Sequence, residues 1–153
     1  MNQMHSKHLL RLLPLLFLLN SFGACKKEKS EWSEVPEIKF ISVNPSSLVQ
    51  FSSPLAITIE YRDGDGDLGE NNPDVVNTFI TDSRNNITYQ FRTQQLAPDN
   101  ANVPITGRLN IEIPSVAIIG SGNSETFTYS IYLTDRKGNR SNTVSTSSVT
   151  VTK

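Results

Sequence analysis

At 153 residues the chain has room for one domain, large enough to fold around a single core without disulfide staples. Both histidines, His5 and His8, stand near the start, and Cys25 is the only cysteine, so the rest cannot assemble a His base, a thiol nucleophile or a His/Cys zinc site. The formal net charge is −1, and with no basic patch or aromatic-basic interleaving, nucleic-acid binding has no footing.

Residues 1–24 open with Lys7, His8 and Arg11, continue through the apolar run Leu12 to Leu19, broken by Pro14, and end in Gly23-Ala24. This is the three-part pattern of a secretory signal, and its apolar run is too short to span a bilayer as a helix. The stretch Phe22-Gly23-Ala24-Cys25 then resembles the lipobox of bacterial lipoproteins, with Phe22 where that family usually has Leu. The resemblance implies that Cys25 is lipidated with several acyl chains, becomes the mature N-terminus and anchors the protein in the bacterial outer membrane. Which face of that membrane it occupies stays open. Residues 25–37 are charged, poor in apolar residues and aperiodic, and are expected to form a solvated tether.

From residue 38 to 153 the chain alternates in the manner of half-buried strands. Ile38 to Val43 is a first strand, ended by Asn44-Pro45. Leu55, Ile57, Ile59 and Tyr61 form one face of a second, with Ala56, Thr58 and Glu60 on the other. Val75 to Asp82 and Ile87 to Arg92 flank Ser83-Arg84-Asn85-Asn86, a hairpin turn whose asparagines tolerate positive φ. The stretch Thr93 to Thr106 reads as a crossover between sheets or as an exposed partner loop. Leu109, Ile111 and Ile113 alternate up to Pro114, and no helix longer than a turn is expected except around Ser115 to Ile119.

Phe127, Tyr129, Ile131 and Leu133 share one face of the longest expected strand, and Asp135 to Asn139 turns the chain into the last, Asn142 to Val151. There Val144 is even-numbered while Val149 and Val151 are odd, which calls for a bulge or an outward valine. About seven short strands with turn signals between them predict an all-β sandwich. The stretch Tyr129 to Ser141 resembles the sixth strand and following turn of bacterial immunoglobulin-like and fibronectin-type domains. A strand followed by Asp-Gly-Asp-Gly-Asp-Leu-Gly behind a lipobox also resembles small lipoproteins of Bacteroidetes. These resemblances imply fold and address rather than activity.

The negative charge is local. Residues 60–74 carry Glu60, Asp63, Asp65, Asp67, Glu70 and Asp74 against Arg62 alone. Within Asp63 to Gly69, three carboxylates alternate with glycines, a pattern that builds an oxygen cage for a hard cation. Set in the register of an EF-hand loop, Asp63, Asp65 and Asp67 take positions 1, 3 and 5, Gly69 offers its carbonyl at 7 and Asp74 falls at 12. Leu68 stands where position 6 wants glycine, and strands rather than helices flank the loop. Oxygen-only ligands on a flexible loop favour calcium over zinc or magnesium. In an immunoglobulin-like topology the turn after the sixth strand shares this end, which makes Asp135 a further candidate ligand, with Asn139 or Asn142 as substitutes. An Asp-Gly repeat also makes a tight, soluble turn without any metal, and Asp135 could then cap its own turn.

The expected function is a non-enzymatic, lipid-anchored envelope module with a calcium-stabilised loop, whose partner is an envelope protein or a glycan. Loops 62–74, 93–106 and 135–142 are the candidate contact surfaces. A carbohydrate-binding accessory module is the first alternative, with Tyr89 and Tyr132 as its suggestive aromatics. The second is a carboxylate-based hydrolase drawing on Asp63, Asp65, Asp67 and Glu70.

Overall fold

A computed structural model describes residues 31–153, so the signal segment and Cys25 lie outside the described residues. Alternation sets the strands. Leu55, Ile57, Ile59 and Tyr61 fall on one side of β3 (Leu55–Asp63), the first three with no exposed surface. Each such side chain, once buried, contributes about 1.5–3 kcal/mol relative to leaving it in water. β3 lies between β1 (Glu37–Asn44) and β6 (Ile105–Ile113) in an antiparallel sheet ordered β1-β3-β6. A register shift between Phe40 and Ser42 lets β1 follow the twist.

The second sheet has the order β5-β4-β8-β9. Here β4 (Thr78–Asp82) and β5 (Thr88–Phe91) form the expected hairpin, with β8 (Tyr129–Leu133) on the far side of β4 and β9 (Val144–Ser145) at the edge. The hairpin turn is built as its residues suggest. Asn86 takes φ 58° and the Asn85 side chain accepts the Ile87 N–H at 2.9 Å. The third sheet joins β2 (Ser47–Val49), β10 (Val149–Thr152) and β7 (Ser124–Phe127), with β2 parallel to β10. Side chains from all three sheets meet in one hydrophobic cluster that includes Leu48, Ile57, Ile80, Phe127, Tyr129, Ile131 and Val151. The fold is all-β, and no residue among those described is helical, including the stretch around Ser115 to Ile119.

Two expected strands are each split between sheets. Phe127, Tyr129, Ile131 and Leu133 are buried on one face as predicted, but the chain changes sheet at Thr128. The Thr128 backbone is held there by Ser83, whose N–H donates to the Thr128 carbonyl at 3.1 Å and whose hydroxyl accepts the Thr128 N–H at 3.0 Å. The last strand divides opposite the same point. Thr146 donates its N–H to the Tyr129 carbonyl and accepts the Tyr129 N–H on its hydroxyl at 3.0 Å, ending β9 before β10 begins in the other sheet. The parity change between Val144 and Val149 therefore marks a change of sheet rather than a bulge in one continuous strand or an outward valine.

Three connections gather where β3 and β8 end. The segment between β5 and β6 crosses from one sheet to the other and runs along the acidic loop on the way. The Glu70 N–H donates to the Thr93 carbonyl at 3.0 Å and the Leu96 N–H to the Leu68 carbonyl at 3.3 Å. The turn after β8 joins them through an antiparallel bridge between Leu68 and Asp135. From Trp32 the N-terminal segment also lies on this end, where the Ser33 carbonyl accepts the Gly64 N–H at 2.8 Å.

Candidate metal centre

The acidic loop leaves β3 at Asp63, whose side chain has no exposed surface. The backbone then coils tightly enough to turn three alternate carboxylates inward. Gly66 sits at φ +75° with the Val103 carbonyl packed against its α-carbon, a place no side chain could enter. At Gly64 the Trp32 and Ser33 backbone occupies the same kind of space. The glycines of the repeat thus let neighbouring chain close around the loop as well as letting the loop turn.

Asp63, Asp65 and Asp67 each offer a carboxylate oxygen, and these oxygens lie within 4.8 Å of one another. Asp63 Oδ2 accepts the Leu68 N–H at 2.9 Å, which fixes the carboxylate, while its Oδ1 has no donor. Asp65 Oδ2 accepts from the Lys137 ammonium, and its Oδ1 has no donor either. Neither oxygen of Asp67 has a partner. Four carboxylate oxygens are therefore buried with no donor from the rest of the protein, a costly arrangement when the three carboxyls are ionised and one that a cation relieves.

The electrostatics follow from this crowding. Burial, followed by the adjacent Asp65, pushes the Asp63 carboxyl up to about 7. Burial, followed by the charges of Asp135 and Asp65, pushes Asp67 up to about 6. Burial acts on Asp65 in the same sense, but there the Lys137 and Asp63 hydrogen bonds outweigh it and hold the carboxyl below its ordinary value. The buried group Asp63, Asp65 and Asp67 can hold a metal ion.

The other sequence-predicted ligands fall outside this group. The Gly69 carbonyl accepts from Arg136 Nη1 at 3.0 Å. Asp74 is exposed, in a turn where its N–H donates to the Asn72 side chain at 3.0 Å, so the twelve-residue EF-hand register does not carry over. Asp135 does reach this end of the domain and its charge is felt at Asp67. Its own carboxylate, however, caps its turn, taking the Asn139 N–H at 2.7 Å and the Asn139 amide at 2.8 Å. Asn142 instead clamps β1, bonding both the N–H and the carbonyl of Ile38. Glu70 accepts the Asn71 and Asn72 N–H groups at 2.8 and 2.9 Å.

Sequence reasoning did not anticipate Lys137, nor the role of residues 93–103 as the wall against Gly66. A cleft of about 480 Å³ beside this contact is lined by Asp65, Asp67, Asp99, Asn100, Asn102 and Lys137 among others. The tight glycine spacing was the available signal that another backbone comes close, but nothing in it says which. No family model matches the chain, and neither a curated protein nor a solved structure does.

Proposed function

We propose that Asp63, Asp65 and Asp67 hold a calcium ion, and that the chain is a lipid-anchored, non-enzymatic module of the bacterial envelope whose calcium orders one binding end. The observation that carries this reading is the set of four buried carboxylate oxygens without donors. Calcium suits them because the set is all oxygen and because this ion tolerates irregular, many-coordinate cages. Its role is structural. A ligand that binds only the folded state, present at tenfold its dissociation constant, stabilises by about 1.4 kcal/mol.

The strand orders support an immunoglobulin-like sandwich. In the usual lettering, β1-β3-β6 correspond to A-B-E and β5-β4-β8-β9 to C′-C-F-G. The loops that such a fold gathers at one end are here the acidic loop and the turn after β8, joined by the crossover, and this end is the surface offered to an envelope protein or glycan. Anchoring through Cys25 rests on the lipobox resemblance and is tested by Cys25→Ser. That variant should pass from the detergent-rich to the aqueous phase in a phase-partition assay, and retention in the detergent would contradict the anchor.

One observation favours the hydrolase as a second reading, since Asp67, whose carboxyl is raised to about 6, lines a cleft together with Asp65. Against it, the unpartnered oxygens are buried, and burial is also the first cause of the raised values. The carbohydrate alternative draws less support. Phe79 stacks on Tyr132 at 4.7 Å and the Arg140 guanidinium lies 3.7 Å from the same ring, so the ring face a sugar would use is covered.

The test is thermal unfolding of the purified protein with chelator and with ~1 mM calcium, the concentration range of extracellular modules. A rise in Tm with calcium that is absent in the Asp63→Asn, Asp65→Asn, Asp67→Asn variant supports the metal. An unchanged Tm together with hydrolysis of model glycosides would favour the second reading.

A further inference from the structure

Calcium takes six to eight oxygen ligands, and the cluster leaves four unpartnered. A fifth, Asp65 Oδ2, belongs to one of the same three carboxylates but is engaged by the ammonium of Lys137. The two ends of this ion pair differ. The Asp65 side chain is 4% exposed, whereas Lys137 is 54% exposed and reaches in from the turn after β8. A second acid stands on its outer side, with Glu34 Oε2 3.8 Å from the same Nζ.

Resting on the calcium reading above, we propose that Lys137 is a built-in counter-cation: its ammonium holds the place of the metal at Asp65 and yields that oxygen when calcium binds. An ammonium and a calcium ion cannot share one carboxylate oxygen at contact distance without strong repulsion. The residue able to move is the lysine, since Asp65 is enclosed and the lysine stem is long and rotatable. Its backbone need not follow. The turn is pinned by the Arg136 N–H on the Asp67 carbonyl at 3.2 Å and by the bonds between Asp135 and Asn139. The exchange is therefore a side-chain rotation that carries the ammonium from Asp65 toward Glu34.

This arrangement has two consequences. The metal-free loop is partly neutralised, which keeps three converging carboxylates from springing apart. Calcium must also displace an internal competitor, so the site responds at a higher calcium concentration than its oxygens alone would set. Lys137 is in this sense the residue that determines affinity, although it would touch no metal.

The experiment is calorimetric calcium titration of the full chain and of its Lys137→Met variant, with acetylation of Lys137 followed by mass spectrometry and exposed Lys39 as the internal reference. The variant should bind calcium about tenfold more tightly, the order expected when a unit charge beside a divalent ion is removed. In the unsubstituted chain, saturating calcium should speed Lys137 acetylation severalfold relative to Lys39. If the unsubstituted chain binds calcium and the variant binds it no more tightly, this inference fails and the calcium reading stands. A tighter variant with unchanged Lys137 labelling would also overturn it, reducing the effect to the field of a bystander charge. If neither chain binds calcium, the reading and the inference fall together; binding by the variant alone would support both.

Discussion

Leu68 and Asp135 form an isolated antiparallel bridge that ties the acidic loop to the turn after β8. Leu68 is the hinge of this arrangement. Its N–H holds Asp63 Oδ2, its carbonyl accepts from Leu96, and its side chain is 1% exposed within the core. An EF-hand wants glycine at this position, and here the loop needs a leucine because it is nailed to a sheet domain rather than slung between helices.

Leu68→Ala should therefore cost stability and metal affinity together. Truncating a buried leucine destabilises by about 2–5 kcal/mol, and the released N–H no longer aims Asp63. Denaturant unfolding in chelator gives the first quantity and calcium titration the second. A stability loss with calcium affinity intact would show that the loop orders itself without its core anchor.

Arg84 offers a prediction remote from the acidic loop. Its guanidinium pairs with Asp82 at 2.6 Å and Glu125 at 2.8 Å, donates to the Ala117 carbonyl at 2.8 Å and lies 3.7 Å from the Phe127 ring centroid. Asp82 has no exposed surface, so Arg84→Met leaves a buried carboxylate unpaired and should destabilise by about 3–5 kcal/mol. The double variant with Asp82→Asn should recover part of that loss. Equal stabilities for the single and double variants would contradict the assignment of the loss to a stranded charge.

Much of this was legible in the sequence, and the boundary of legibility is physical. Period-2 alternation placed the inward faces of β3, β6 and β8, because burial on one side of a strand writes itself into every second residue. The split at Thr128 was not written that way, since the chain keeps its inward parity across it, and the split at Thr146 left only the parity change between Val144 and Val149, which a bulge would produce equally well. In the site, Asp63, Asp65 and Asp67 were readable from local spacing. Gly69, Asp74 and Asp135 were assigned by analogy with an EF-hand register and an end-of-sandwich position, and their oxygens go to Arg136, to solvent and to Asn139. Lys137 pairs across the fold with Asp65, and no local pattern encodes such a pairing.

The pH dependence of the metal-free protein should run opposite to that of an ordinary salt-bridged domain near neutrality. The carboxyls of Asp63 and Asp67 are raised to about 7 and about 6, well above the ~3.9 of an unfolded aspartate. Between those values the folded chain holds protons that the unfolded chain has released. Stability from these groups is thus full below about pH 4 and lost as the pH rises toward 7. In chelator, stability should fall from about pH 5 to about pH 7.5, and saturating calcium should reverse the trend because it binds the deprotonated cage. A metal-free profile that rises over this range would contradict the raised values.

Gly66→Ala isolates the crossover wall. A methyl group at φ +75° is strained, and here it would also strike the Val103 carbonyl. The loss should be at least 1 kcal/mol by the usual cost of a left-handed alanine, about 1–2 kcal/mol, accompanied by weaker calcium binding. An unaltered protein would mean that residues 93–103 do not press on the acidic loop in solution.

If Asp63, Asp65 and Asp67 form a cation site, calorimetric titration of calcium into the protein and into its triple Asp63→Asn, Asp65→Asn, Asp67→Asn variant will separate the two chains. The unsubstituted protein should take up one calcium per chain and the variant none, and the variant should at the same time be the more stable of the two in chelator, having lost the repulsion without needing the ion. No heat at ~10 mM calcium, beyond the weakest extracellular sites, together with a variant no more stable than its parent, would reduce the loop to a turn.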